Sequence, residues 1–344
     1  MQTPASRRIL ISVLNWNCTD ETTACVQSLA ALSNTGGHAL DIVVIDNGSR
    51  PDEWARLQDN LRGARLTLLR NETNQGFAGG HNIALRRALD SGAEYAWLVN
   101  SDAVVKPDAL DKIVALMDAD PRCGAASPVI LARDDESVFD FVGARHDWAA
   151  MASVSAASIE EARQMEAEHP REMWLMGAAF MLRVEALREI GLLDHAYFAY
   201  YEDNDICARL SAKGWLCRMV FDAVVLHNHP RVRMSEKGAY YFYLMARNSF
   251  RFWYQHTPAP FRRMIRLKLI DRALLVANQL RDSGYDEKSA ACMLGIYDSQ
   301  VGKSGKWNLD RKVPPMVEAL RRLRWRNHTR HFQPVTVDAI TPTR

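Results

Sequence analysis

The sequence has few cysteines, no long apolar run and no glycine-rich phosphate loop. Its six cysteines (Cys18, Cys25, Cys123, Cys207, Cys217 and Cys292) are scattered and form no CxxC pair. That pattern fits free thiols in a reducing cytoplasm better than a disulfide framework or a zinc knuckle. No apolar run approaches the roughly 18–20 residues that a membrane span needs. The start, Met1 to Arg8, is short and polar, and the apolar stretch Ile9 to Leu14 is interrupted at Asn15 and Asn17. No secretory leader is expected from that arrangement. Internal repeats are missing as well. After the first apolar stretch, Trp16-Asn-Cys-Thr19 contains no glycine. This excludes the GxGxxG dinucleotide fingerprint, and no GxxxxGK[ST] phosphate loop occurs anywhere.

What is present describes a folded chain. Of 344 residues, 48% are apolar and 24% charged, enough for one large or two modest domains with a real core. The net charge of +2 conceals an asymmetry. Residues 1–230 carry 21 Lys/Arg against 32 Asp/Glu, and residues 231–344 carry 22 against 9. A basic C-terminal third is either a solvated helical region or a surface for an anionic partner.

The first hundred residues alternate short apolar runs with helical patterns. Strands are expected at Ile9 to Trp16, Asp41 to Asp46, Arg65 to Arg70 and Tyr95 to Val99. Helices are expected from Thr19 or Asp20 to about Leu32, from Pro51 to about Leu61, and from the glycine loop through Leu89. This β-α-β-α-β-α-β order implies parallel strands joined by crossover helices. Further on, a helix is expected over 107–118, strands over Cys123 to Leu131 and Trp174 to Arg183, a short helix over 203–213 and a strand from Trp215 to His227. Between about 132 and 172 lies an apparent insertion with one helix, Ser158 to Glu168. From Ser235 the pattern is helical, over about 236–256, 260–281, 286–299 and 314–327, with a loose tail from Gln333.

Ligands of open α/β sheets bind beyond the carboxyl ends of the strands. Three expected strand ends carry polar clusters: Asn15/Asn17, Asp46-Asn-Gly-Ser49 and Asn100-Ser-Asp102. The loop Asn74-Gln-Gly-Phe-Ala-Gly-Gly-His-Asn82 adds glycines that permit close backbone approach to a ligand. Asp102 at a strand end suits a hard divalent cation, which takes one or two carboxylates and completes its shell with phosphate and water. An Asp in that place is also a common turn or cap residue. Glu202, Asp203 and Asp205 crowd a helix start. Clustered carboxylates repel, which can keep one of them basic enough to accept a proton from a hydroxyl. Helix capping is the competing account. His227 ends an apolar strand, where an imidazole serves as a metal ligand or as a structural side chain.

In order, these segments resemble the bacterial inverting glycosyltransferases of family 2, most nearly the rhamnosyltransferase-like subgroup. The matching elements are Val13-Leu-Asn-Trp-Asn17, Asp46 to Ser49, Asn74 to Asn82, Leu98 to Asp102, Gly177 to Arg183, Gly191 to Asp194, Phe198 to Arg209, and His227. They span about residues 9–250. The resemblance implies an α/β GT-A fold, Rossmann-like, with a mostly parallel central sheet flanked by helices and a helical C-terminal extension. It divides the chain into a nucleotide-sugar-binding and catalytic domain over 1–230 and a basic helical region over 231–344.

The resemblance also implies roles. Asp46 would accept the imide N–H of uracil or thymine. Asn15, Asn17, Asn74, Gly76, Gly79 and Asn82 would line the nucleotide pocket. Asn100-Ser101-Asp102 stands where the family carries its DxD motif, with Asn in place of the first acid. Asp102 and His227 would then hold Mg²⁺ or Mn²⁺. Asp203 would be the catalytic base, and Glu202 would support it or bind the acceptor. Trp174 and Gly177 would shape the acceptor and sugar pocket, and Arg247 with Asn248 would close on the donor diphosphate.

The expected reaction moves a sugar, L-rhamnose from dTDP-rhamnose, to a hydroxyl of a saccharide or lipid-linked saccharide in cell-surface polysaccharide synthesis. The alternatives are a UDP-sugar transferase (galactofuranosyl or hexosyl) and a non-catalytic nucleotide-sugar-binding scaffold. Intact Asp102, Glu202, Asp203 and His227 speak against the scaffold. The basic segments Arg262 to Lys268 and Arg321 to Arg326 suit peripheral contact with anionic lipid at the inner face of the cytoplasmic membrane, or a homodimer contact. Nucleic acid is not an expected partner, since no nucleic-acid module accompanies the charge.

Overall fold

The computed structural model describes residues 6–228 and 234–329. The chain runs through β1 (Arg8–Asn15), α1 (Thr19–Ala30), β2 (Ala39–Asp46), α2 (Pro51–Asn60), β3 (Thr67–Arg70), α3 (Gly76–Ser91) and β4 (Tyr95–Asn100). Next come β5 (Ala103–Val105), α4 (Ala109–Ala119), β6 (Cys123–Ala132), β7 (Phe139–Phe141), β8 (Ala144–Asp147), β9 (Ala152–Ser155) and α5 (Ile159–Glu168). There follow β10 (Met173–Trp174), β11 (Ala179–Arg183), α6 (Val184–Ile190), α7 (Glu202–Ala212) and β12 (Leu216–His227). The remaining helices are α8 (Ala239–His256), α9 (Arg262–Asp282), α10 (Asp286–Gln300) and α11 (Pro315–Thr329). The tail from Gln333 lies outside the described residues.

The main sheet has the order β3-β2-β1-β4-β11-β6-β12-β5, with β7 added on β6. Strands β1 to β4 are mutually parallel. Alternation along β1 feeds two cores: Ile9, Ile11 and Val13 pack with α1, α2 and α4, while Leu10 joins the layer containing α3 and α6. Period-2 side-chain direction is what splits them.

The sheet departs from the mostly parallel expectation at its centre. β11 inserts antiparallel between β4 and β6, and β5 closes antiparallel on β12. The stretch Trp174 to Arg183, expected as one strand, is two. β10 belongs to a separate sheet of order β10-β8-β9, and β11 to the main one. The break has a local cause. The Leu175 amide donates to Cys207 Sγ at 3.4 Å and the Gly177 amide to Asp203 Oδ2 at 3.0 Å, so neither serves a strand ladder. Within the insertion, α5 is capped by Ser158 Oγ accepting from the Glu161 amide at 3.1 Å, an N-cap bond of the usual kind.

The chain divides into two compact units. One takes the described parts of residues 1–146, 153–195 and 202–229 and holds the main sheet. The other takes residues 147–152, 196–201 and the described part of 230–344. In the second unit, Asp298 is fully buried and accepts from Tyr243 Oη at 2.8 Å and from Arg311 at 2.6 and 2.9 Å. Phe198, Tyr243, Leu244, Ala291 and Leu294 form its apolar centre.

Gly48 turns the chain after β2 at φ 75°. A Cβ there would lie 2.6 Å from the Thr73 carbonyl carbon and 2.8 Å from the Asn74 nitrogen, both backbone atoms that cannot swing away. Gly48→Ala is expected to cost about 1–2 kcal/mol for the left-handed conformation alone, and more for the contact. Thermal denaturation measures it, and an unchanged Tm would contradict this account of the turn.

Candidate active site

The parallel register sets Asn15 beside Asp46, with Asn100 one residue out of step on the other side of β1. The carboxyl ends of β1, β2 and β4 therefore open on one edge. Asn15 Nδ2 donates to Asp46 Oδ1 at 2.8 Å and to Ser49 Oγ at 3.1 Å, while its Oδ1 accepts from Thr22 Oγ1 at 2.7 Å. Asp46 is fully buried and has Arg70 Nε 3.4 Å from its Oδ2. Asn17 stands at φ 54°, and its Oδ1 accepts from the Arg50 amide at 2.9 Å. The loop from Asn74 is organised by Asn47, which the sequence reading passed over. Asn47 Oδ1 accepts from Asn71 Nδ2 and the Gln75 amide, and its Nδ2 donates to Asn74 Oδ1 and the Gly76 carbonyl. The signal was there, since Asn47 lies inside the Asp46 to Ser49 cluster.

Asn82 differs from its expected role in the nucleotide pocket. It is buried, donates to the Leu193 carbonyl at 2.8 Å and accepts from the Leu193 amide at 3.1 Å. Bonding both backbone groups of one residue, Leu193, with the two ends of its amide makes it a pin between α3 and the chain that follows α6.

A second cluster forms where β5 pairs with the end of β12, which sets His227 opposite Ala103. His227 Nε2 lies 3.2 Å from Asp102 Oδ1 and 3.3 Å from Asn100 Nδ2, and its Nδ1 lies 2.7 Å from Asp140 Oδ2. Burial pulls the imidazole pKa down, but the hydrogen bonds and charges of Asp102 and Asp140 outweigh it and raise the value to about 9. Asp140 sits in the insertion, far from His227 along the chain, and no spacing motif announced it. Ser101 Oγ is 3.1 Å from Cys18 Sγ. Among the described residues, no three His, Cys, Asp or Glu side chains form a ready-made metal cage.

The third cluster begins α7. Asp203 Oδ2 accepts from the Gly177 amide at 3.0 Å, and Oδ1 accepts from the amide and Nδ2 of Asn204 at 2.8 and 2.9 Å. Asn204 Oδ1 is in turn 2.8 Å from His146 Nε2, and His146 stacks on Trp174 at 6.1 Å. Trp174 is buried and donates from Nε1 to Ser153 Oγ. Glu202 is buried with its Oε2 unpartnered. Burial first, then the charge of Asp203, pushes the Glu202 pKa well up. Burial also raises Asp203, against the bonds from Asn204 and Gly177 that favour its charged form. Asp205 is occupied elsewhere, in a 2.8 Å ion pair with Arg209.

The second and third clusters are joined by two residues of chain. Gly177 donates to Asp203, and the next residue, Ala178, accepts from the Asn100 amide at 2.8 Å. Arg247, expected on the donor diphosphate, belongs to the second unit and is engaged there. It is 2% exposed, and its guanidinium donates to the carbonyls of Gly305, Tyr197 and Ala196 and to Asn248 Oδ1.

Residues 10–191 match the model of glycosyl transferase family 2. An N-acetylglucosaminyl-diphospho-decaprenol L-rhamnosyltransferase of Mycobacterium tuberculosis is 28% identical, over 74% of this chain and 89% of its own. A dTDP-rhamnosyl transferase of Shigella flexneri is 24% identical over 54% of this chain and 59% of its own. A low-salt glycan biosynthesis hexosyltransferase of Haloferax volcanii is 24% identical over 61% and 66%. Among solved structures, the Pyrobaculum calidifontis mannosyltransferase in complex with GDP-Man and Mn²⁺ superposes with TM-score 0.53 at 17% identity, covering 96% of this chain and 83% of that one. S. aureus TarS gives 0.56 at 15% identity, covering 94% and 53%. The fold is thus that of the glycosyltransferases, α/β with a central sheet. The chain belongs to glycosyl transferase family 2, and it is an enzyme of sugar transfer.

A buried acid with a raised pKa is tolerated while protonated and destabilises the fold once ionised. Its favourable contribution is present below the unfolded value and is lost as pH rises through the folded one. Glu202→Gln is therefore expected to raise Tm above neutral pH, with a gain that shrinks as pH falls toward 4. An unsatisfied buried polar group costs about 1–3 kcal/mol. Melting curves of both proteins across pH 4–9 check the sign.

Proposed function

We propose that this enzyme transfers L-rhamnose from dTDP-rhamnose to a hydroxyl of a lipid-linked saccharide, inverting the anomeric configuration. The observation that carries the reading is Asp203, a half-buried carboxylate held by Gly177 and Asn204 and linked by two residues to the Asn100, Asp102 and His227 cluster. The names of the Mycobacterium tuberculosis and Shigella flexneri relatives support the sugar, and the first of them supports the lipid-linked acceptor.

Asp203 takes the proton of the acceptor hydroxyl as that oxygen attacks the anomeric carbon. The bond to the donor diphosphate breaks on the opposite face, and the nucleoside diphosphate leaves. One displacement inverts the centre without a covalent enzyme intermediate. A positioned base contributes about 10²–10⁴-fold. Asn15, Asn17, Asp46, Asn74 and the loop through Gly76 and Gly79 would bind the nucleotide, with Asp46 facing the imide N–H. Glu202, Trp174 and Gly177 would border the acceptor and sugar.

The donor set fits a divalent cation. His227 can keep its Nδ1 proton on Asp140 and turn Nε2 toward Asp102, giving one nitrogen and one carboxylate, with Asn100 and Ser101 beside them. Two protein ligands suit Mg²⁺ or Mn²⁺, which leaves room for phosphate and water. When bound, the cation neutralises charge growing on the leaving diphosphate.

Peripheral contact with lipid has support of its own in the second unit. Met316, Leu320 and Leu323 are 72%, 58% and 60% exposed, the highest values among the large apolar side chains of the described residues. Their spacing places them on one face of α11. Arg321, counted with the basic run in the sequence, lies on the opposite face, buried against Glu318 and Asn278. Arg324 and Arg326 are exposed beside the apolar stripe, Arg324 in an ion pair with Asp271. Apolar side chains flanked by arginines match an interfacial helix on anionic lipid. The other expected segment, Arg262 to Lys268, includes side chains outside the described set. No helix among the described residues is long and apolar enough to cross a membrane.

Asp203→Asn is expected to lower kcat by at least 10²-fold while calorimetric affinity for dTDP-rhamnose survives. An equal loss of donor binding would remove Asp203 from the role of base. The same calorimetry with UDP-galactose, UDP-galactofuranose and UDP-N-acetylglucosamine, each with and without Mn²⁺, tests donor and metal together. Tighter binding of a UDP-sugar would move the assignment to the hexosyl alternative. Vesicles containing anionic phospholipid should retain the protein at low salt and lose it on Leu320→Glu. Retention unaffected by that change would refute α11 as the contact, and a halved solution mass in the variant would make the stripe a dimer seam.

A further inference from the structure

Among the described residues, the segment leading into α7 gathers most of the left-handed non-glycine backbone. Phe198, Tyr200 and Tyr201 stand at φ 68°, 68° and 75°. Bulky L residues rarely adopt that region, and three within four positions persist only where surroundings enforce them. The next two residues are Glu202 and Asp203.

The enforcing groups all belong to the second unit, as the segment itself does. Asn248 is fully buried, and its Nδ2 donates to the carbonyls of Tyr197 at 3.0 Å, Ala199 at 2.8 Å and Tyr200 at 2.8 Å. Three acceptors for one amide group leave it a single orientation. Arg247 Nε fixes that orientation by donating to Asn248 Oδ1 at 2.9 Å. Arg247 Nη2 also donates to the Tyr197 and Ala196 carbonyls at 2.9 and 3.3 Å. Gly305 completes the frame, its amide donating to the Ala196 carbonyl at 2.9 Å and its carbonyl accepting from Arg247 Nη1. Each left-handed residue also docks its ring: Phe198 on Trp307, Tyr200 on Tyr241 and Tyr201 on Phe252, at 5.2–5.5 Å. Backbone carbonyls and side chains are thus held at every position of the run.

We propose that Arg247 and Asn248 are positioning residues for the acid pair, clamping the left-handed run from which the chain passes directly into Glu202 and Asp203. This rests on the reading of Asp203 as the base. It differs from a diphosphate contact in a measurable way. A clamp acts on the step that needs the carboxylate and leaves the nucleotide's own contacts intact. A phosphate ligand acts on donor affinity.

The test uses Asn248→Ala and the milder Arg247→Lys in the full chain. Calorimetry reads nucleoside diphosphate affinity, steady-state kinetics read kcat, and hydrogen exchange reads the amides of residues 196–203. The clamp predicts diphosphate affinity within about twofold of the parent and faster exchange confined to that segment. It also predicts kcat lowered about 10–100-fold, the scale on which small misplacements of a reacting group act. Affinity falling in step with kcat would overturn the clamp in favour of a phosphate contact. Unchanged kcat, or exchange raised evenly over the chain, would overturn it as well. Arg247→Lys keeps the charge and part of the bonding, so it supplies the answer if Asn248→Ala fails to fold. Full activity in Asp203→Asn would refute the base while leaving the exchange result standing, which separates the two failures.

Discussion

The site depends on one short connection: the Gly177 amide on Asp203, followed directly by the Ala178 carbonyl on Asn100. It links the start of a helix to the end of a central strand through two peptide groups. A glycine suits this crossing, because a Cβ at Gly177 would lie 3.2 Å from Phe77 and 3.6 Å from Asp203 Oδ2. The antiparallel placement of β11 beside β4 brings the two anchors together. Had the strand continued through residue 177, the amide would be turned into a ladder and the carboxylate would lose a donor.

Around that connection the electrostatics are arranged by burial. Of two adjacent acids, Glu202 is buried and Asp203 half-buried, and hydrogen bonds are supplied to them unequally. Asp203 accepts three, while Glu202 keeps an oxygen unpartnered. Environment therefore separates two neighbouring carboxylates that the sequence presents as equals. His227 shows the opposite balance. Carboxylates at both ring nitrogens overcome its desolvation, and the Asp140 partner fixes the ring as an outer carboxylate does for a metal-bound histidine.

Much of this was legible in the residues. Strands β1, β2 and β4 announced themselves as apolar runs ending in Asn15, Asp46 and Asn100, and parallel pairing aligns those ends. Asp203 and His227 stood at element boundaries, where polar side chains after apolar runs attract notice. The partners were not legible. Asp140 and His146 lie in an insertion with weak periodicity, and each meets its partner only after the chain has crossed the sheet. Arg247 was visible as a charged residue among aromatics, but charge alone did not say whether it faced a phosphate or four acceptor atoms of its own chain. The left-handed run at 198–201 had no glycine to mark it.

Local sequence settled what depends on neighbours along the chain: the alternation that builds β1, the helices after Thr19 and Pro51, and the residue types at each strand end. Tertiary structure alone decided which strand lies between β4 and β6, how unequally the two acids are hydrogen-bonded, and which carboxylates hold His227. Those outcomes are set by contacts between segments distant in sequence. Burial and hydrogen-bond supply, unlike periodicity, exist only once such segments have met.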